Sequence, residues 1–181
     1  VNVPPSNGEF VIGPSDGVAL NTTYTFETFG WVDDEEDLPL SYSVLCYRMG
    51  RALDATLVSS MSEINYVQST LAQGHASQSY AVTCVLIAQD VYESQAELTN
   101  DITVRENTFL SVDADIGAVQ SYLTSSLNDA FSAQDALAVW QAVNGVSSLL
   151  NAADCTSAPT CSDINRNSCS RVPNTCGECL S

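Results

Sequence analysis

The sequence has no lysine, one histidine and five arginines, set against 22 aspartates and glutamates, for a formal net charge of −17 over 181 residues. Nucleic acids and anionic membrane surfaces are bound by basic faces that neutralise phosphate, and this chain has too few cations to build one. Scarcity of histidine also removes the commonest general base. A Ser or Cys nucleophile would depend on His75, which sits in a polar Gly-His-Ala-Ser turn with no Gly-x-Ser-x-Gly pattern beside it. Carboxylate pairs of the glycosidase kind arise by chance in so acidic a chain. Gly117 and Gly145 stand singly inside helical patterns, not in a phosphate-cradling loop. The chain is therefore expected not to be an enzyme. Long apolar runs are missing as well: none approaches the roughly 18 to 20 residues that span a bilayer, so membrane insertion is not expected. No basic stretch followed by an apolar one opens the chain, and any signal peptide is expected to have been removed.

Apolar residues make up 45% and charged residues 15%, which suits a packed domain rather than a disordered chain. The seven cysteines are Cys46, Cys84, Cys155, Cys161, Cys169, Cys176 and Cys179, five of them in the last 27 residues. That density is typical of a disulfide-stapled segment in an oxidising compartment. Cys176-x-x-Cys179 also admits a zinc reading, but the second Cys-x-x-Cys or His pair of a tetrahedral site is absent. An odd count leaves one cysteine without an internal partner. The sequence stops two residues after Cys179, so that partner is expected in further sequence or on a neighbouring molecule. Asn21-Thr22-Thr23 is an acceptor sequon, making Asn21 the candidate glycosylation site. Together these features point to an extracellular or cell-surface glycoprotein.

Residues 1–106 read as β-structure. Between 21 and 31, Tyr24 and Phe26 alternate with Thr23, Thr25 and Glu27, the period of a half-buried strand. In 40–49, Leu40, Tyr42, Val44 and Cys46 share one parity. A shorter apolar stretch lies at 55–60. Residues 79–89 begin with alternation and end in a continuous apolar run, as a central strand can, and 98–105 supply a closing strand. Turn-forming clusters between them suggest an antiparallel sandwich. Cys46 and Cys84 both have inward parity, which predicts a bridge between their strands.

From 107 to 152 the period changes. Ile116, Val119, Leu123, Leu127 and Ala130 mark one helical face, with Ser111 as a cap and Asp113 and Asp115 near the positive end of the dipole. Leu137, Trp140, Val143, Val146 and Leu150 mark a second, preceded by Ser132 to Asp135 as a capping box. The spacing predicts a helical hairpin joined near 128–132, its apolar stripe serving as core or as an interface within an assembly. Residues 153–181 have too little apolar content for a core, so their order must come from disulfides. They read as the truncated start of a small cysteine-rich module.

Five consecutive acidic residues, Asp33 to Asp37, follow Trp31. Clustered carboxylates in a loop suit calcium, with Asp33, Asp34, Glu35 and Asp37 as candidate ligands and Asp90 able to approach from the end of its strand. The alternative is a solvated loop held open by its own repulsion; EF-hand spacing is absent. No other cofactor is implied.

Trp31, Asp33 to Asp37 and Leu38-Pro39-Leu40-Ser41-Tyr42 resemble the W-x-D-x-D-x-P-L-x-Y strand pair of the receptor-for-egg-jelly region in polycystin-like proteins, with five acidic residues where that family spaces two or three. Tyr80-Ala-Val-Thr-Cys-Val and Asp90-Val-Tyr92 resemble its later strand and Asp-x-Tyr turn, and Val104 falls where that domain closes. Asn165-Arg166-x-x-Cys169 and the segment Asn174-Thr-Cys-Gly-Glu-Cys-Leu180 are similar to the cysteine-rich, EGF-like repeats that follow such regions in large surface proteins of algae and protists. The resemblance implies an immunoglobulin-like sandwich in an extracellular array, followed by the helical hairpin and the disulfide-rich tail. It implies a non-catalytic structural or adhesive module; with the odd cysteine and the amphipathic helices, a part of a surface or filamentous assembly is expected, partnered by copies of itself or by neighbouring extracellular domains. A calcium-dependent adhesion or carbohydrate-binding module, meeting a glycan through the acidic loop or through exposed Trp31 and Tyr residues, is the alternative.

Overall fold

The computed structural model describes residues 2–48, 55–108, 116–151, 153, 155, 157–167, 169 and 172–180. Two sheets face each other. β1 (Glu9–Gly13), β3 (Tyr24–Phe29) and β6 (Tyr66–Ser69) form one, in the order β1-β3-β6. The other contains β2 (Asp16–Val18), β4 (Ser41–Arg48), β5 (Thr56–Ser62), β7 (Ala81–Gln89) and β8 (Gln95–Arg105), in the order β2-β8-β7-β4-β5. β7 is the central strand of the five, and its apolar run explains the position: Val82, Cys84, Val85, Leu86 and Ala88 are all buried.

The period-two alternation builds the core. Tyr24 and Phe26 of β3 are fully buried, and with Ile12 of β1 they pack against Val44, Cys46, Val82, Cys84, Leu86, Ile102 and Val104 of the opposite sheet. Cys46 and Cys84 are directly opposite partners in the β4–β7 ladder and are joined by a disulfide, so the bridge lies within one sheet.

The sandwich departs from a purely antiparallel plan in one ladder, since β2 pairs with β8 in parallel. Pro14 has no N–H to donate, so the β1–β3 ladder ends at Gly13 and the chain crosses to the other sheet. It then enters beside β8 running in the same direction. β1, β2 and β6 are three to five residues long, too short to display an alternation of their own.

The helical hairpin consists of α1 (Ile116–Ser132) and α2 (Ala136–Leu150). α1 continues to Ser132, so the join lies at 133–135, not at 128–132. The capping box is corrected for the same reason. Ser132 still belongs to α1, and Asp135, with extended backbone, is the cap: its carboxylate accepts from the Ala138 N–H at 3.0 Å. The cap expected at Ser111, with Asp113 and Asp115, lies outside the described residues.

The apolar stripe of α2 is also corrected. Val146 is buried as part of it, but Trp140, Val143 and Leu150 are 54%, 45% and 52% exposed. The buried seam runs instead through Ala142, Gly145, Val146 and Leu149. Small residues allow this closer approach: a Cβ on Gly145 would sit 2.4 Å from the Leu20 side chain. Leu20, Val119, Val146 and Leu149 form a second core that fixes the hairpin to the sandwich. Gln141 donates to the Val58 carbonyl at 2.9 Å, so α2 also covers part of the outer strand β5.

Tyr24 donates to the Thr103 carbonyl at 3.3 Å. Burial, then the nearby Asp16 charge, push its phenol up to about 12, against a smaller opposing effect of Arg105. The folded state thus keeps a proton that the unfolded chain releases near pH 10, and stability falls as pH rises between those values. Ultraviolet titration is expected to show one of the seven tyrosines ionising near pH 12 or only with unfolding. Tyr24→Phe abolishes that step.

Candidate functional site

The acidic segment spans the crossover from β3 to β4. It folds as a short 3-10 turn at Glu35–Asp37, closed by the Asp37 N–H on the Asp34 carbonyl at 3.0 Å. The turn sorts its carboxylates. Asp34, Glu35 and Glu36 are exposed, Asp33 is half-buried and Asp37 is buried. The β7–β8 turn meets it from the opposite side, where the Val91 N–H donates to the Asp37 carbonyl at 3.2 Å.

Asp90 shapes that second turn. One carboxylate oxygen accepts from the Tyr92 and Ser94 N–H groups at 2.8 and 2.9 Å, and the other accepts from Asn2 Nδ2 at 2.8 Å. The result is that Asp33, Asp37 and Asp90 each present an oxygen within 4.8 Å of the others. Of the residues named from the sequence, Asp34 and Glu35 stand outside this group, whereas Asp90 is inside it. The signal for Asp90 was its place at the end of the long strand.

The carboxylates are electrostatically unlike. Burial, then the charges of Asp33, Asp34, Asp90 and Glu36, raise the pKa of Asp37. Burial also opposes ionisation of Asp90, but the bonds from Asn2, Ser94 and Tyr92 outweigh it, and its pKa is lowered.

Trp31 does not offer a free aromatic face. Its indole N–H donates to Thr28 Oγ1 at 2.6 Å, and its ring lies 6.4 Å from that of Tyr42. On the other side it presses on Gly8, where an added Cβ would come within 2.1 Å of the indole. Trp31 is therefore a structural wedge, because the glycine gap accepts it more fully than solvent does.

In the tail, Cys155–Cys169 and Cys161–Cys176 form interleaved disulfides, and Cys179 is an exposed free thiol. With four sulfurs paired, no thiolate set remains there for zinc. Asn167 pairs with both Glu178 and Gly177, which holds the last residues against the turn at Cys161–Ile164. Asn21 is exposed on the turn before β3, open to an enzyme that would glycosylate it.

A family model for the REJ domain matches residues 1–144, covering the sandwich, α1 and part of α2. The chain belongs to the REJ domain family. A REJ domain is an extracellular module, which agrees with disulfides in both the sandwich and the tail. Among the described residues, no helix is long and apolar enough to cross a membrane. No curated protein matches this REJ domain chain. A solved structure concerned with the promiscuous specificity of carbohydrate-binding modules from the β-sandwich superfamily is 20% identical, with a TM-score of 0.43. The match covers 60% of this chain and 37% of that one.

Two outcomes are expected. Replacing both Cys46 and Cys84 by alanine removes a cross-link of 38-residue separation, worth about 4 kcal/mol through the unfolded state, and lowers the urea midpoint accordingly. In buffer with a chelator, the raised pKa of Asp37 means that stability falls as pH rises through it, since the folded state holds that proton more tightly. Asp37→Asn removes this loss, so its advantage over the parent protein grows from acidic to neutral pH in denaturant titrations.

Proposed function

We propose that this REJ domain is a non-catalytic structural module of an extracellular glycoprotein, located at the cell surface or outside the cell and built into a surface or filamentous assembly. The observation that carries the reading is the outer face of α2. Trp140, Val143 and Leu150 recur at helical spacing and are about half exposed, while the hairpin's other face is already committed to Leu20. Phe131, 65% exposed at the end of α1, adds to the apolar surface. Apolar groups clustered on an otherwise very acidic chain suit burial against a neighbouring copy or module.

Cross-links and charge support the same reading. Disulfides in sandwich and tail give a durable part, and Cys179 is available for a covalent link to a neighbour. A sugar on the exposed Asn21 would help keep such a module soluble. In the competing carbohydrate-binding reading Trp31 is not available, being packed between Gly8 and Tyr42, and the exposed Tyr92 of the β7–β8 turn is the aromatic left beside the acidic loop.

Sedimentation velocity over a range of concentration tests the proposal. Self-association is expected, and it strengthens with added salt because each chain carries a charge of −17. Trp140→Glu weakens it while leaving the circular dichroism unchanged. In non-reducing electrophoresis, linked species disappear in Cys179→Ser. A monomer at every concentration and salt level, without linked species, contradicts the reading.

A further inference from the structure

Asp33, Asp37 and Asp90 converge although each carries the same charge, and their burial does not share one explanation. Asp90 is accounted for by its own turn: both oxygens accept N–H groups, from Tyr92, Ser94 and Asn2. Asp37 has no comparable reason. It is 8% exposed, its backbone is tied to Asp34 and Val91, and no described residue donates to its carboxylate. Asp33 uses one oxygen to accept the Asp34 N–H at 2.9 Å, while Oδ2 is buried without a partner. The neighbouring charges acting on Asp37 are all negative: Asp33, Asp34, Asp90 and Glu36.

A loop that is merely solvated would turn all its carboxylates to water. This one exposes Asp34, Glu35 and Glu36 and withdraws the two that meet Asp90. A buried carboxylate oxygen without a donor, as Asp33 Oδ2 is, and a buried carboxylate surrounded only by negative charge, as Asp37 is, are costly to desolvate, and a bound cation lowers that cost. The donors are oxygens only, which selects a hard cation over zinc or copper. They come from a loop and a turn already fixed by backbone hydrogen bonds. Calcium, with six to eight oxygens at variable angles and water completing the set, suits them better than magnesium, which demands a regular octahedron.

We propose that Asp33, Asp37 and Asp90 form a calcium site that joins the β3–β4 crossover to the β7–β8 turn. The cation reinforces the Val91–Asp37 contact, and through Asp90 it also steadies Asn2 and the segment leading into β1. The crossover links the two sheets, so the ion acts as a clamp across one end of the sandwich. The site does not depend on whether the chain self-associates.

Terbium luminescence and thermal unfolding of the full chain test the proposal. Trp31 is two residues from Asp33, within roughly 7 Å along the backbone, close enough to sensitise a bound terbium ion. Tryptophan-excited terbium emission is expected, displaced by calcium more effectively than by magnesium. Calcium raises the unfolding temperature saturably, with a dissociation constant of roughly 10⁻⁴ to 10⁻³ M, the range of extracellular modules, at ionic strength matched with sodium chloride. Asp37→Asn weakens the calcium response at least about tenfold, yet in chelator this variant unfolds no earlier than the parent, because a repulsive charge has gone. Asp34→Asn and Glu35→Gln keep the response. Asp33→Asn gives the same loss as Asp37→Asn and serves where the latter folds poorly. The proposal is overturned by a calcium effect no larger than that of sodium chloride, by equal losses in Asp34→Asn and Asp37→Asn, or by an Asp37→Asn variant equally destabilised with and without calcium.

Discussion

The contact between β3 and the β4–β7 pair carries the rest of the molecule. Tyr24 and Phe26 project from one sheet onto Val44, Cys46, Cys84 and Leu86 of the other, and all six are buried. The Cys46–Cys84 disulfide ties the two strands of the receiving surface at directly opposed positions. Once this layer is formed, the remaining strands add to its margins: β1 and β6 flank β3, β8 flanks β7, and β5 flanks β4. The β3–β4 crossover must then span the end of the sandwich, which brings the acidic run against the β7–β8 turn.

Charge is the opposing constraint. A chain at −17 without lysine has few ion pairs available, and Arg105 with Asp16 is the pair seen among the described residues. Negative charge is therefore relieved by other means. Backbone N–H groups hold Asp90, a helix start takes Asp135, and exposed loops leave Asp34, Glu35 and Glu36 in water. Asp33 Oδ2 is buried without a partner and Asp37 is buried as a residue, which sets them apart chemically from the other carboxylates of the loop.

The helical hairpin and the tail illustrate two ways of ordering a segment that has no large core. α2 reaches the sandwich because Gly145 lets it approach Leu20 closely, and it leaves a larger apolar stripe outside. The tail lacks even that resource and relies on interleaved disulfides with a few backbone hydrogen bonds. Both arrangements suit a REJ domain working in an extracellular setting, where cross-links persist.

The strands that bear the core were legible in the sequence because period two is a local property: Tyr24 and Phe26, Leu40 to Cys46, and the apolar run of β7 each show it within a few residues. The two helices were legible for the same reason, as was the acidic character of the β3–β4 loop. The parallel β2–β8 ladder was not, since three residues that include a glycine owe their conformation to a partner some 87 positions away. Periodicity also marked Trp140, Val143 and Leu150 as one apolar face without saying whether anything covers it; the fit of Gly145 against Leu20 decided that. Composition and local pattern thus determined the kinds of element, the cross-linking chemistry and the excess of carboxylate. Tertiary folding alone decided that Asp37 turns inward toward Asp90, 53 residues on, while Asp34 and Glu35 turn out, because burial is set by what the rest of the chain brings alongside.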